Sequence, residues 1–220
     1  MANVVHYAQR PTALVREVWS TGLYARLPQF YRTQYEAWEK YRATARTPHE
    51  IPPEVKSPWT TDKYGAPKLA CDVPIRVHYP DQCDKGIWGG EGIVEGLTKK
   101  SKRWFDAYSP RIWRPSLSRR VFYSEILDKH LLITCTPRTL DLVDEHNGFD
   151  QYILKTHPVD LRSQLALDIR RNILLALAKG TCAKELQNRY AKFIIPANEA
   201  EWFGLPLDKA IEKQVRLIFD

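Results

Sequence analysis

One segment of the chain combines the residue types that bind polyanions. Residues 98–122 hold eight Lys or Arg and a single acid, so they account for the whole formal net charge of +7 in a 220-residue chain. Cationic side chains neutralise phosphates and flat rings stack on unstacked bases, so this mixture is typical of RNA recognition. The candidate RNA-binding residues are Lys99, Lys100, Lys102, Arg103, Trp104, Arg111, Trp113, Arg114, Arg119 and Arg120.

The composition of this basic-aromatic segment (98–122) predicts little regular structure. Pro110 and Pro115 remove backbone donors, and four serines stand among the cations. An irregular loop could carry its charges along an irregular phosphate path. The alternative is a solvated loop whose rings fill the edge of a protein core. We favour RNA binding, because the charge segregation is complete.

A second group of residues suggests metal-dependent chemistry. Asp141, Asp144 and Glu145, with His146 and Asp150 nearby, could hold a divalent ion that activates water. Carboxylates that lead into an Asn-Gly turn are more often surface and capping residues, which is the interpretation we favour. No Ser, Cys or His nucleophile pattern accompanies them. We therefore predict no catalytic residue, no metal site and no cofactor.

The cysteines do not alter that prediction. They stand at positions 71, 83, 135 and 182, a spacing that matches neither a zinc site nor the disulfide framework of a small secreted domain. We expect four reduced thiols.

Composition sets the broad class of the protein. Apolar residues make up 44% of the chain and charged residues 27%, as in ordinary globular proteins. The longest apolar run, 173–178, is too short to span a membrane. Residues 1–16 contain two arginines and no acid, so they are compatible with a mitochondrial presequence or with a surface tail.

The N-terminal part of the chain predicts a helix followed by an extended arm. Aromatic residues recur at helical spacing over 29–45, between Pro28 and Pro48, and such a stripe either packs in a core or docks on a partner. Seven prolines between positions 48 and 80 then exclude helix and favour an extended arm with a short strand near 75–79.

The remaining chain predicts a hairpin and several helices. Five glycines between positions 86 and 96 favour tight turns or close approach to a ligand. Segments 121–127 and 130–135 predict two hairpin strands. Apolar spacing and stop signals predict helices at 139–145, 149–155, 158–178, 183–193 and 207–219.

These elements predict an α+β fold, with a small antiparallel β-sheet core packed on a helix, an extended N-terminal arm and C-terminal helices. We divide the chain into an N-terminal extension (1–80), a core (81–180) that contains the basic-aromatic segment, and a C-terminal helical extension (181–220).

Several sequence segments resemble segments of the L-twenty-eight family of mitochondrial large-ribosomal-subunit proteins. The resemblance covers roughly residues 74–215, and the glycine-tryptophan segment 86–92 matches the corresponding family segment. The first 70 residues match no motif. The matching segments lie at 122–129, 138–144, 148–150, 152–156, 200–202 and 210–214.

The resemblance implies a structural, non-catalytic component of the large ribosomal subunit in the mitochondrial matrix. It implies large-subunit rRNA and neighbouring mitochondrial ribosomal proteins as partners, and we expect no homo-oligomer. Some bacterial relatives carry a cysteine-based zinc site, which the spacing here does not reproduce.

Two other functions stay open at this stage. One is a metal-dependent RNA-processing enzyme that uses Asp141, Asp144 and Glu145. The other is an RNA-independent docking adaptor whose helices at 29–45 and 207–219 bind proteins.

Overall fold

The structure is a computed structural model, and it describes residues 22, 24–44, 59–61, 65, 67–69, 77–99 and 108–219. The strands are β1 (Trp59–Thr61), β2 (Pro67–Leu69), β3 (Val77–His78), β4 (Ile93–Lys99), β5 (Tyr108–Trp113), β6 (Ser118–Ser124) and β7 (Lys129–Cys135). The α-helices are α1 (Gln29–Thr44), α2 (Pro137–Glu145), α3 (Phe149–Lys155), α4 (Pro158–Leu161), α5 (Gln164–Lys179), α6 (Lys184–Arg189), α7 (Ala197–Ala200) and α8 (Leu207–Phe219). The predicted α+β class is confirmed.

The strands form small antiparallel sheets. In the described residues, β1 pairs with β2, β6 pairs with β7, and β4 lies between β3 and β5. Much of the predicted arm, 48–80, lies outside the described residues; in its described part, strand structure appears at β1, β2 and β3.

The expectation of an irregular basic-aromatic segment is wrong for its described part. Residues 108–113 form β5, and the segment enters β6 at Ser118. Pro110 is tolerated in β5 because, among the described residues, this strand pairs with β4 alone and is therefore an edge strand, one of the few places in a sheet where proline is found. Pro115 falls between the two strands, where it interrupts no pairing.

The β6–β7 hairpin packs on α3, whereas the sequence predicts that the helix at 158–178 covers the sheet, and the turn of the hairpin is longer than expected. The first strand ends at Ser124 rather than at 127, and Ile126 is buried in the turn. On the covered face of the hairpin, Phe122 stacks on Phe149 of α3 with ring centroids 5.0 Å apart. One face of the β6–β7 hairpin is therefore partly covered by α3.

The glycine segment makes its close approach to the protein itself. A Cβ at Gly86 would lie 2.5 Å from the Thr134 carbonyl oxygen, and one at Gly89 would lie 3.1 Å from Thr139 Oγ1. The Thr139 hydroxyl in turn donates to the Ile87 carbonyl oxygen at 2.8 Å. These glycines serve to pack the segment on β7 and α2, rather than to admit a ligand.

The helix predicted at 158–178 is interrupted. Arg162 adopts a left-handed conformation (φ +46°) between α4 and α5. The buried hydroxyl of Ser163 accepts a hydrogen bond from the Ala166 amide at 3.3 Å and donates to the Gly86 carbonyl oxygen. The apolar spacing runs through the break, but the new helix start satisfies a buried carbonyl that an unbroken helix would leave unpaired.

The chain forms two compact units. One comprises Met1–Ala45, Glu125–Leu127 and Leu167–Asp220, and the other comprises Arg46–Ser124 and Asp128–Ala166. All of the strands belong to the second, which we call the strand unit; we call the first the helical unit. The division at positions 80 and 180 stays a prediction.

The core of the helical unit joins α1 to the C-terminal part of the chain. Leu27, Tyr31, Trp202 and Ala210 are buried together. The Tyr31 hydroxyl donates to the Leu205 carbonyl oxygen at 2.9 Å, and burial raises its pKa well above the ordinary value for tyrosine. The aromatic stripe of α1 is thus core packing in this structure.

Candidate nucleic-acid interface

The β4–β5 pair is a ribbon that exposes side chains on both faces. Leu97 and Ile112, on one face, are 66% and 53% exposed. On the other face, Trp113 is 39% exposed and Arg111 is also exposed. Because no other element covers these side chains, they contribute little to folding through burial, and they are available to a ligand.

Trp113 is held in place on the ribbon surface. Its ring rests against Gly96 of β4, where an added Cβ would lie 2.9 Å from Trp113 Cζ3. The Arg111 guanidinium carbon lies 5.5 Å from the Trp113 ring centroid, within cation–π range. Glycine lets the indole lie close to the backbone, and the neighbouring arginine places positive charge beside an exposed aromatic surface.

The β6–β7 hairpin offers a second exposed face. On β6, Arg119, Val121 and Tyr123 point away from the covered side, and Val121 pairs with Leu132 of β7. Val121 and Leu132 are 63% and 66% exposed. The Tyr123 ring lies 4.9 Å from the His130 ring, centroid to centroid. The face therefore combines an open ring pair with apolar surface and one cation.

The candidate residues have different positions. Arg111, Trp113, Arg114, Arg119 and Arg120 are all exposed, with Arg119 and Arg120 on opposite faces of β6 because adjacent strand residues alternate. Lys99 ends β4, and nothing is described of its side chain. The other four, Lys100, Lys102, Arg103 and Trp104, lie outside the described residues.

The exposed arginines keep their charges free for a partner. No ion pair joins Arg111, Arg114, Arg119 or Arg120 to a carboxylate elsewhere in the described chain. Unpaired surface cations attract polyanions without first breaking an internal salt bridge.

The sequence analysis missed the outer face of the hairpin. Tyr123, His130, Val121 and Leu132 were not among its candidates, because it located the site by charge. Alternation within 118–124 was the signal that could have identified them, since every second residue of a strand shares a face.

The acidic cluster does not form a metal centre. Asp141, Asp144 and Glu145 are exposed on α2, whose buried residues are Thr139 and Val143. Among the described residues, no three His, Cys, Asp or Glu side chains are grouped so that they could hold a metal ion.

The described cysteines, Cys83, Cys135 and Cys182, are free. Burial raises the pKa of Cys83 to about 11 and also raises the pKa of Cys135. Two of the three thiols are therefore buried and neutral near neutral pH, which is typical of packing residues rather than of reactive nucleophiles.

Unpaired arginines beside open rings on a small antiparallel sheet are features of a nucleic-acid-binding protein. No helix in the described ranges is long and apolar enough to cross a membrane. No model of a protein family matches the chain.

Curated relatives identify the family. The chain is 40% identical to large ribosomal subunit protein bL28m of Xenopus laevis over 202 residues, which cover 88% of this chain and 78% of that protein. The Bos taurus protein of the same name is also 40% identical, with 88% and 77% covered. The Drosophila melanogaster protein is 33% identical over 209 residues, with 89% and 67% covered. The chain belongs to the bL28m family of mitochondrial large ribosomal subunit proteins, as the resemblance predicted.

Proposed function

We propose that this chain is a structural, non-catalytic constituent of the mitochondrial large ribosomal subunit, in the mitochondrial matrix. It binds and stabilises large-subunit rRNA for mitochondrial translation. The observation that supports this function best is the surface of the β4–β5 ribbon, where Arg111, which pairs with no carboxylate among the described residues, lies beside exposed Trp113. Membership of the bL28m family fixes the kind of particle in which such a surface would meet RNA.

The proposed contacts divide by chemistry. Arginine and lysine side chains neutralise phosphates and set the position of the protein, while tryptophan rings stack on bases or sugars. If about five to eight cations touch phosphates, the logarithm of affinity falls against the logarithm of salt concentration with a slope of about −4 to −7. The proposed phosphate contacts are Lys99, Lys100, Lys102, Arg103, Arg111, Arg114, Arg119 and Arg120, and Trp104 and Trp113 are the proposed stacking residues.

Neighbouring mitochondrial ribosomal proteins complete the proposed partners, and the chain forms no homo-oligomer. The proposed division of the chain is into an N-terminal extension (1–80), a core (81–180) and a C-terminal helical extension (181–220). A proline-rich segment that cannot build a core alone can be ordered against RNA and proteins during assembly, when the entropy loss is offset by new contacts.

The structure favours neither alternative function. A metal-dependent enzyme needs carboxylates that converge in a cleft, whereas those of α2 are exposed and lie in no metal-binding group within the described chain. An adaptor needs open helix faces. Tyr31 of α1 and Ala210 of α8 are buried in one core, and the large apolar side chains that α8 exposes lie only in its last turn, at Leu217, Ile218 and Phe219. RNA binding through the ribbon needs neither feature.

Co-sedimentation tests the proposal. We would express the tagged full-length chain in mitochondria with Arg111, Arg114 and Arg119 changed to Gln, and measure its share in the large-subunit peak. We expect at least a tenfold loss, because three charge-assisted phosphate contacts of about 1 kcal/mol or more each are removed. The matched control changes Lys179, Lys184 and Lys209, all exposed in the helical unit, to Gln.

Unchanged co-sedimentation of the triple-arginine variant, or an equal loss in the lysine control, would contradict the proposal. Ribonuclease treatment separates the adaptor hypothesis, because an adaptor keeps its protein partners after the RNA has been digested.

A further inference from the structure

The sheet that carries Trp113 contains a second aromatic ring with the same surroundings. Tyr79 follows β3 directly, and its ring lies against Gly92, where an added Cβ would be 2.9 Å from Tyr79 Cε1. The Arg162 guanidinium carbon lies 4.4 Å from the Tyr79 ring centroid. Each site thus contains a guanidinium beside a ring that lies against a glycine.

The two arrangements share one face of the sheet. In the antiparallel register, Val77 pairs with Val94 and His78 with Ile93, which places Tyr79 opposite Gly92. Gly92 and Gly96 are an even number of residues apart, so they share a face, and four residues of strand span about 13 Å. Tyr79 and Trp113 are therefore two rings along one surface of the strand unit.

Arg162 has a backbone conformation that arginine rarely adopts. Its φ of +46° lies in the left-handed region, which costs a residue with a Cβ about 1 kcal/mol or more and which glycine or asparagine adopts more easily. The side chain is exposed and forms no ion pair with a described carboxylate. Packing alone does not require an arginine here, since the ring of Tyr79 is already fixed against Gly92 and its hydroxyl donates to the Gly90 carbonyl oxygen at 3.2 Å.

We infer that Arg162 is a second anchor for RNA phosphate, on the same surface as Arg111 and Trp113. Stacking on Tyr79 fixes the plane of the guanidinium, and its N–H groups can then donate to phosphate oxygens with little loss of side-chain entropy. The RNA backbone would pass along this surface from Arg111, beside Trp113, to Arg162, beside Tyr79. This inference rests on the proposed function, because it assumes that the ribbon surface binds RNA.

Filter binding of the full-length chain to transcribed mitochondrial large-subunit rRNA tests the inference. Arg162→Asn removes the charge and relieves the backbone, so we expect about tenfold weaker binding, with a salt slope smaller by about 0.7 to 0.9. Arg162→Lys keeps the charge and loses the planar stack, so it should keep the slope with a smaller loss of affinity. Arg138→Gln, an exposed arginine of α2, is the matched control for one lost charge.

Parallel measurement of Arg111→Gln separates the two proposals. If Arg111→Gln weakens binding and Arg162→Asn behaves like Arg138→Gln, the second anchor is wrong and the proposed function stands. If neither Arg111→Gln nor Arg162→Asn weakens binding, the proposed function itself fails. If Arg162→Asn leaves rRNA affinity unchanged but reduces co-sedimentation, Arg162 contacts a protein and the inference is overturned.

Stability is measured on the same samples. Thermal melts followed by circular dichroism identify a temperature at which every variant is fully folded. Affinities measured at that temperature then describe native protein. Asparagine adopts the left-handed region more easily than arginine does, so the melting temperature of Arg162→Asn should equal or exceed that of the wild type. If the salt slope of Arg162→Lys is reduced in magnitude as much as that of Arg162→Asn, the loss of positive charge does not cause the weaker binding, and the inference is overturned.

Discussion

Both compact units place a cation over a tryptophan ring, and the two pairs have different surroundings. In the helical unit, Lys213 Nζ lies 4.7 Å from the centroid of Trp202, whose side chain is only 5% exposed. In the strand unit, Arg111 lies 5.5 Å from Trp113, which is 39% exposed. The first ring is enclosed by its own chain, while the second keeps surface for a partner. The covering of the ring, rather than the contact itself, separates packing from recognition.

Charge follows the same division. Lys213 of the helical unit also forms an ion pair with Glu201 at 3.2 Å. The ribbon arginine has no such partner in the described chain. An arginine that is already paired would have to break that interaction before it met a phosphate, whereas an unpaired one is available at once.

The largest expected effect is in the helical unit. Trp202→Ala should lower the free energy of unfolding by about 3 to 5 kcal/mol, because it removes a buried ring and leaves a cavity beside Tyr31. Urea denaturation followed by circular dichroism measures the change. Trp113→Ala is the matched control and should cost less than about 1 kcal/mol, since its ring is partly exposed. Equal losses in the two variants would contradict the comparison.

For rRNA binding at full folding, we expect the exposed Trp113 to matter more than the buried Trp202. Trp113→Ala should weaken rRNA binding by about 1 to 3 kcal/mol, the usual contribution of one aromatic stacking contact. Its salt slope should match that of the wild type, because no charge is removed. Filter binding over a salt series measures both quantities. An unchanged affinity would show that the indole does not contact RNA.

Sequence reasoning identified the residue types of the site and most of the elements. The helices at 29–45 and 207–219 were predictable because their apolar spacing is regular, and because prolines flank the first on both sides and precede the second. The ribbon was not, because Pro110 within it and Pro115 just after it argue against regular structure in the sequence. Pro110 disrupts a strand only when the strand has neighbours on both sides, and the edge position of β5 depends on sheet order.

The break at Arg162 was also beyond sequence reasoning. Apolar residues at every fourth position continue through it, so local periodicity predicts one helix. The cause of the break is a contact between Ser163 and the Gly86 carbonyl oxygen, residues 77 positions apart in the sequence. The Arg162–Tyr79 stack depends on the same long-range contact, since the break sets the direction in which Arg162 points.

Two glycines sharpen the comparison between the units. Gly204, at φ +67°, faces Leu167, where an added Cβ would lie 2.9 Å from the Leu167 Cβ. Gly204→Ala should therefore lower the free energy of unfolding by about 1 to 3 kcal/mol. Gly96→Ala should leave stability nearly unchanged but displace Trp113, so that rRNA binding weakens by about threefold to tenfold. A binding defect in Gly204→Ala at full folding, with none in Gly96→Ala, would reverse our assignment of the two units.

The smallest effect concerns a buried thiol of the strand unit. Burial raises the pKa of Cys83 from 9.0 to about 11, so the unfolded thiol loses its proton at a lower pH than the folded one. This stabilising contribution is complete below pH 9 and is lost as the pH rises through about 11. By pH 10 the free energy of unfolding should fall by about 1 kcal/mol. Denaturation at pH 8, 9 and 10 measures the fall, which Cys83→Ala should reduce. Identical profiles for the two proteins would mean that the Cys83 thiol is solvated in the folded protein, and that this part of the strand unit, like the ribbon surface, is open to water.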